Sequence, residues 1–209
     1  MKDNKEFWQR VAKIYAPFMK GNSFLYEEIC DNIIGSLNDE MDVLELACGS
    51  GQLSFSLSKY VRSYVASDFS EKMIVEASKN NFNENLLFTV QDATNLSYKD
   101  NSFDVIIISN ALHIMPYPKK ALKEIKRVLK HNGILFAPTF IHGNGAAYRL
   151  RIRMMELIGF KTFYKWTEKE FVMFLEENGF EVNEHMILGD TLTPLCYVKA
   201  KQCINDLVK

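Results

Sequence analysis

Apolar positions in this chain switch repeatedly between two periods. Phe7, Trp8, Val11, Ile14, Tyr15 and Phe18 recur at i, i+4, i+7 spacing and predict a helix with an aromatic face over residues 5–20, ending near Pro17. Residues 23–37 predict a second helix with Phe24, Leu25, Ile29, Ile33 and Ile34 inward, stopped by Gly35, Asn38 and Asp39. Short apolar runs then alternate with helical ones. Val43–Leu46 reads as a strand, Gln52–Tyr60 as a helix, Ser63–Asp68 as a strand, Glu71–Asn80 as a helix and Leu86–Gln91 as a strand. After a turn at Lys99–Ser102, Phe103–Ile108 is so continuously apolar that both its faces must be covered, the mark of a central strand in a parallel sheet. Lys119–Lys130 is amphipathic, with Ala121, Leu122, Ile125, Val128 and Leu129 inward. Gly133 stands where a glycine is favoured after a helix, and Gly133–Phe140 is the fifth strand.

Residues 141–165 leave this alternation, with a glycine-bearing loop and a helix over 146–160. It resumes at Thr167, where Glu170 three residues later makes a capping box and Gly179 closes the helix. Phe180–Leu188 and Pro194–Gln202, joined by the short GDTLT connection, predict an antiparallel pair at the sheet edge. Alternating strands and helices of this kind predict an α/β fold in three layers around a mostly parallel sheet.

Composition narrows the function. The chain has 209 residues, 47% hydrophobic, with a formal net charge of −1. That is one α/β domain with a core of its own, and no basic field points to nucleic acid or to an anionic membrane. No run of about 18 apolar residues is present, so no membrane span is expected, and the polar, mixed-charge start MKDNKEFWQR does not read as a signal peptide. Cys30, Cys48, Cys196 and Cys203 are scattered, with no metal-ligand spacing, and read as reduced thiols of a cytoplasmic protein.

The chemistry gathers around Met41–Ser54, MDVLELACGSGQLS. A strand, a turn with Gly49 and Gly51, and a helix open a nucleotide-binding βαβ unit. The third glycine of G-x-G-x-x-G is missing, with Ser54 in its place, and an acid, Glu45, precedes the glycines. The second strand closes on Asp68, where a carboxylate can accept ribose hydroxyls; Ser70 or Asp68 also caps the next helix. Met73 can pack inward and touch a bound base. Asp92 follows the third strand, and from the residues alone it reads first as a solvent-facing turn. The fourth strand ends in Ser109–Asn110–Ala111–Leu112–His113, and ligands of open α/β sheets bind outside such strand ends.

The E-x-A-x-G-x-G turn, Asp68, Gln91–Asp92–Ala93, Phe103–Asp104 leading to Asn110–Ala111–Leu112–His113, and EIKRVLKHNGILF together resemble the class I S-adenosylmethionine (SAM) methyltransferases. The resemblance is to the small-molecule group that includes the ubiquinone/menaquinone-biosynthesis methyltransferases. It covers roughly residues 5–200 and is strongest over 41–140. It implies a Rossmann-like three-layer sandwich with a seven-stranded, mostly parallel sheet and an antiparallel C-terminal hairpin. It further implies that Glu45, Ala47, Gly49 and Gly51 cradle the methionine part of SAM, that Asp68 holds the ribose, that Phe69 flanks the adenine, and that Asp92 and Ala93 meet its edge. Asn110 contributes through its backbone, and His113 lies near the methionine end or the acceptor. Ala47 stands where glycine is commoner, and Cys48 is usual among relatives. Tyr15 and Phe18 are expected to help cover the cofactor.

A sulfonium is already an activated electrophile, so the protein mainly aligns an in-line displacement, and S-adenosylhomocysteine (SAH) is the product. A general base is needed only if the acceptor must lose a proton; His113 is the first candidate and His142 the second, although His113 reads more simply as a packing residue. The whole chain is expected to be one methyltransferase domain. Residues 1–40 and 141–165, rich in aromatics and methionine, form its acceptor-side cap around a small apolar or aromatic methyl acceptor. Arg149, Arg151 and Arg153 cannot share one helix face and read as surface. Monomer and homodimer both remain open. The alternatives are a non-catalytic module that binds SAM or SAH, and an NAD-dependent oxidoreductase, against which the missing third glycine and Glu45 argue. A cysteine-based metalloid methyltransferase lacks clustered cysteines. Neutral charge disfavours RNA as the acceptor, and Ser109–Asn110–Ala111–Leu112 is no N-P-P-Y-like tetrapeptide.

Overall fold

The computed structural model describes residues 4–19, 23–79, 81–141, 160–190 and 194–203. The expected helix over 146–160 lies outside the described residues except for Phe160, with His142, Tyr148, Arg149, Arg151, Arg153, Met154 and Met155, as does the side chain of Phe18. Two helices, α1 (Lys5–Met19) and α2 (Ser23–Ile34), precede the sheet. The alternation follows as β1 (Asp42–Leu46), α3 (Ser54–Leu57), β2 (Ser63–Asp68), α4 (Glu71–Ser78), β3 (Leu86–Val90), β4 (Phe103–Ile108), α5 (Pro118–Val128), β5 (Leu129–Phe136) and β6 (Thr139–Phe140). Then come α6 (Glu168–Glu177), β7 (Phe180–Leu188) and β8 (Leu195–Gln202).

These strands form one sheet in the order β3-β2-β1-β4-β5-β8-β6, with β7 paired to β8. The pairs from β3 to β5 are parallel, and β8 runs antiparallel to β5, β6 and β7. The doubly wound α/β architecture is as the alternation predicts. The two-residue β6 is an addition: Ala137–Pro138 interrupts what reads in sequence as a single strand to Phe140. The C-terminal hairpin forms the expected antiparallel pair at the sheet edge, with β7 outermost. β8 is threaded between β5 and β7, and its run of buried residues explains why it takes the interior position.

Side-chain alternation sorts the core onto two faces. Leu44 and Leu46 of β1 join Ile106 and Ile108 of β4 beneath α5 and α6, packing on Ile125 and Phe171. Val43 with Val105 and Ile107 faces the other way, onto Leu25, Ile29 and Ile33 of α2. Glu45, two residues beyond Val43, therefore belongs to this second, apolar face. On α2, Phe24 is 78% exposed and on α1 Ile14 is 67% exposed, so neither takes the inward place that its spacing predicts. Helix α1 continues past Pro17 to Met19, and α3 is a single turn extended by a 3-10 turn at Ser58–Tyr60. The caps appear as read. Ser70 Oγ accepts from Met73 N, and Thr167 and Glu170 complete the capping box.

Gly133 has a different role from the one its position predicts. Helix α5 ends at Val128 and β5 begins at once, so the glycine lies inside the strand. The register with β4 jumps there, from Phe103↔Leu129 to Val105↔Ile134. A Cβ on Gly133 would stand 2.5 Å from Leu129 Cδ1 and 2.9 Å from the Asp104 carbonyl oxygen. Asp104 cannot yield easily, because its Oδ2 accepts from Asp42 N at 2.9 Å and from Lys130 Nζ at 2.8 Å. Gly133→Ala is expected to cost about 1–3 kcal/mol, the range for overpacking a filled site. Urea unfolding would show it as a lower midpoint with an unchanged slope.

Candidate functional site

The carboxyl ends of β1, β2 and β4 open onto a cavity of about 330 Å³, roofed by α1 and α2. Its floor is the turn after β1. Ala47 (φ 55°), Gly49 (φ 55°) and Gly51 (φ 89°) all lie in the left-handed region. For Ala47 that conformation is strained by its Cβ, which is why the position favours glycine. Gly49 is needed for space as well, since a Cβ there would meet Tyr15 Cε1 at 3.1 Å. Gly51 looks elsewhere: its Cβ would strike Phe55 at 2.8 Å and Phe88 at 3.2 Å, so it serves the turn and its packing on the Phe55–Phe88 pair.

Tyr15, Glu45, Ala47, Cys48, Gly49, Asp68, Phe69, Met73, Asp92, Ala93 and Asn110 all line this one cavity, although five separate stretches of chain supply them. Gly51 and His113, also singled out in the sequence, are not among its lining residues. Cys30, Cys48 and Cys196 are buried free thiols, and no group of three metal-ligating side chains occurs among the described residues.

Two acids set the electrostatics. Glu45 is 2% exposed. Its Oε2 accepts from Ser54 Oγ at 2.5 Å and from the Tyr64 hydroxyl at 2.9 Å. Burial pushes this carboxyl up to about 7, and the neighbouring Asp68 adds to the rise while the two hydroxyls oppose it. No lysine or arginine among the described residues pairs with it. Asp68 is held by backbone: Gly49 N donates to Oδ2 at 3.1 Å and Ser70 N to Oδ1 at 2.8 Å. Burial raises it to about 6 despite those bonds. Each Asp68 oxygen keeps a second lone pair for a ligand. Asp92 is turned to solvent, with Oδ1 accepting from Thr94 N and Thr94 Oγ1, both at 2.8 Å.

The end of β4 adds buried polar atoms. Ser109 Oγ is buried with no hydrogen-bond partner among the described residues, the Asn110 amide is buried beside the Tyr26 hydroxyl, and both residues line the cavity. Asn110 itself is fixed in a left-handed conformation (φ 52°), with its Oδ1 accepting from Phe140 N at 3.1 Å. His113 lies behind this wall. Its ring sits edge-on to Phe140, its Nδ1 has no partner among the described residues, and its carbonyl accepts from Phe163 N and Tyr164 N at 3.0 Å each. Burial alone lowers its pKa to about 4, which suits a neutral packing residue.

Several contributors escaped the sequence reading. Asn4 is buried and clips three segments together. Its Nδ2 donates to Ile114 O at 3.0 Å and Lys161 O at 2.9 Å, and its Oδ1 accepts from Lys161 N at 3.0 Å. With Gln9 Oε1 accepting from Lys72 N at 3.2 Å and Lys5 paired to Glu71, it straps α1 across the cavity mouth. Nothing in the local sequence marks Asn4, because its partners lie more than 100 residues away. Tyr64 left a usable signal: a tyrosine in a buried strand must find a partner for its hydroxyl, and Glu45 is a buried acid in the adjacent strand.

The cavity thus joins a strained glycine turn, two buried acids of which Glu45 has no cation beside it, an apolar slot at Met73 and Ala93, and aromatic cover. Comparison with known proteins gives the same family twice. The methyltransferase-domain family matches residues 44–137. The ubiquinone/menaquinone biosynthesis C-methyltransferase UbiE of Rickettsia felis is 30% identical over 193 residues, covering 75% of this chain and 74% of that one. UbiE of Rickettsia akari is 31% identical over 175 residues, covering 66% and 68%. The fold also matches a SAM-dependent methyltransferase of Thermotoga maritima, with a TM-score of 0.73 over 95% of this chain and 98% of that one at 20% identity. The nicotinamide alternative falls with these matches: the chain belongs to the class I SAM-dependent methyltransferases, in the ubiquinone/menaquinone-biosynthesis group.

Proposed function

We propose that this enzyme methylates a ring carbon of a small, apolar aromatic acceptor of quinol type, with SAM seated in the cavity at the ends of β1, β2 and β4. The observation that carries the reading is Glu45, a buried carboxyl that faces the cavity with no cation of its own. A site of that kind fits a ligand that brings its own positive charge. The carbon acceptor follows from the UbiE relatives, which are C-methyltransferases.

SAM supplies a methyl group already activated on a sulfonium sulfur. The residues of this chain then have four tasks. Glu45 receives the ammonium of the amino-acid end, with Ser109 and Asn110 as further polar contacts there. Asp68 takes the ribose hydroxyls on its remaining lone pairs. Met73 and Ala93 pack against the adenine, and Asp92 and Phe69 flank it. Trp8 and Tyr15 on α1, stacked edge to face at 5.4 Å, exclude water from above. The sequence forms one methyltransferase domain in this reading. Residues 1–40 and 141–165 build the acceptor side, and the enzyme works in the cytoplasm, without nucleic acid, as a monomer or homodimer. No helix among the described residues is long and apolar enough to cross a membrane. His113 supports the wall at Phe140 and is not the base.

Calorimetric titration with SAH tests the cofactor site. Asp68→Ala should weaken binding by about 1.5–3 kcal/mol, the value of a hydrogen bond to a charged group. Wild-type protein that is folded but takes up no SAH would remove the foundation of this assignment. The acceptor is tested by incubating methyl-labelled SAM with reduced demethylmenaquinone and locating the label by NMR. Label on a ring carbon is expected, and label on oxygen would overturn the carbon assignment.

The buried His113 predicts a stability effect. Its pKa falls from an ordinary value near 6.5 to about 4 on folding, so protonation favours the unfolded chain. The stability lost as pH drops from 6.5 to 4 should be about 3 kcal/mol at most. Glu45 and Asp68 act in the opposite sense, since raised carboxyls lose stability as pH rises through 4 to 7. The histidine is therefore read by difference. Thermal melts should show wild type losing stability relative to His113→Gln from pH 7.5 to pH 4.5, and a difference that does not change with pH would exclude the neutral, buried state.

A further inference from the structure

Glu45 is satisfied on one side only. Tyr64 from β2 and Ser54 from α3 both donate to Oε2, at 2.9 and 2.5 Å. Neither hydroxyl is free to move: Tyr64 is 0% exposed inside the apolar cluster beneath α2, and Ser54 is 0% exposed at the start of its helix. No hydrogen bond from a described residue reaches Oε1, and Glu45 lines the cavity. The carboxyl group is therefore pinned by one oxygen with the other turned to the ligand space.

The groups around it are all acidic or neutral. Tyr64 and Asp68 face it from β2, Tyr26 and Cys30 from α2, and Cys48 from the turn; each feels the charge of Glu45 or raises its pKa. No cation stands among them. Ionising Glu45 without a ligand cation beside it is therefore opposed by burial and by Asp68 and favoured only by the two hydroxyls.

We propose that Tyr64 and Ser54 are positioning residues that make Glu45 a proton-exchanging seat, so that capture of the ligand's ammonium at Oε1 expels a proton from the Glu45 carboxyl to solvent. The inference rests on the cofactor assignment above and deepens it. The exchange balances simply. The carboxyl O–H bond breaks and its proton leaves to buffer. The remaining carboxylate pairs with the ammonium, which keeps its own protons. Tyr64 and Ser54 stay protonated throughout and hold the carboxylate by donating to Oε2. Near neutral pH, where the empty carboxyl sits at about 7, a fraction of a proton is released per ligand bound; the release grows at lower pH and vanishes at higher pH.

Calorimetry of SAH binding in phosphate and in Tris, from pH 6.5 to 8.5, reads this directly, because the apparent enthalpy then depends on the buffer in proportion to the protons released. Wild type should release about half a proton near pH 7 and almost none at pH 8.5. Glu45→Gln should abolish that release and leave only the smaller one from Asp68 at the acid end. Tyr64→Phe keeps the ring and its packing but removes one donor. Its release should persist to higher pH by about one unit, with binding weakened up to about tenfold at pH 7 and recovering at pH 8.5. Ser54→Ala should shift in the same direction. A loss in Tyr64→Phe that is equal at pH 6.5 and 8.5 would overturn the positioning role, as would SAH binding without proton release in wild type. In both cases the cofactor assignment stands. If Glu45→Gln and Asp68→Ala both bind SAH as wild type does, the cofactor assignment itself fails and this inference with it.

Discussion

The parallel pairing of β1 with β4 is the constraint on which the rest depends. Val43 to Leu46 run in register with Val105 to Ile108, and both strands are covered on both faces. Such a pair can exist only if helices shield it above and below, which fixes α2 on one side and α5 with α6 on the other. It also brings the two strand ends level, so that the turn after Leu46 and the loop after Ile108 meet over one space. The cavity is a geometric result of that registry. Asp104 reinforces it by tying the start of β1 to Lys130 on the next strand.

Much of this was legible in the residues because the deciding interactions are local. Period-two and period-3.6 patterning located the strands and most helices, and the Ser70 and Thr167 caps are set within three residues of themselves. The glycine turn carried its own signature, and Ala47 in a left-handed conformation explains why glycine is the commoner choice there. What escaped was settled at long range. Gly133 looked like a helix terminator, yet the backbone of Asp104 across the sheet decides its role. Phe24 and Ile14 fit an inward stripe on paper, but the helices that carry them turn those positions outward. Asn4 could not be found at all without the fold. His113, which reads more simply as a packing residue in the sequence, lies edge-on to Phe140 with its pKa lowered by burial.

The site is costly to the fold. Glu45 and Asp68 are both buried, both raised, and close enough to raise one another or the groups between them. A leucine at position 45 would remove that burden and suit the apolar face that Val43 shares. The hydroxyls of Tyr64 and Ser54 and the backbone N–H groups of Gly49 and Ser70 make the arrangement tolerable by giving each acid a fixed set of donors. Stability is thereby surrendered at the place where binding needs unmet charge.

Helix α1 joins two roles. Tyr15 stands 3.1 Å from where a side chain on Gly49 would begin, and Asn4, Lys5 and Gln9 clip the same helix to the 3-10 turn Leu112–Ile114, to Lys161 and to α4. The wall of the binding chamber and its doorway are thus a single segment. Loosening the N-terminal helix would therefore part several polar clips and disturb the chamber wall in one event, so the fold couples the two.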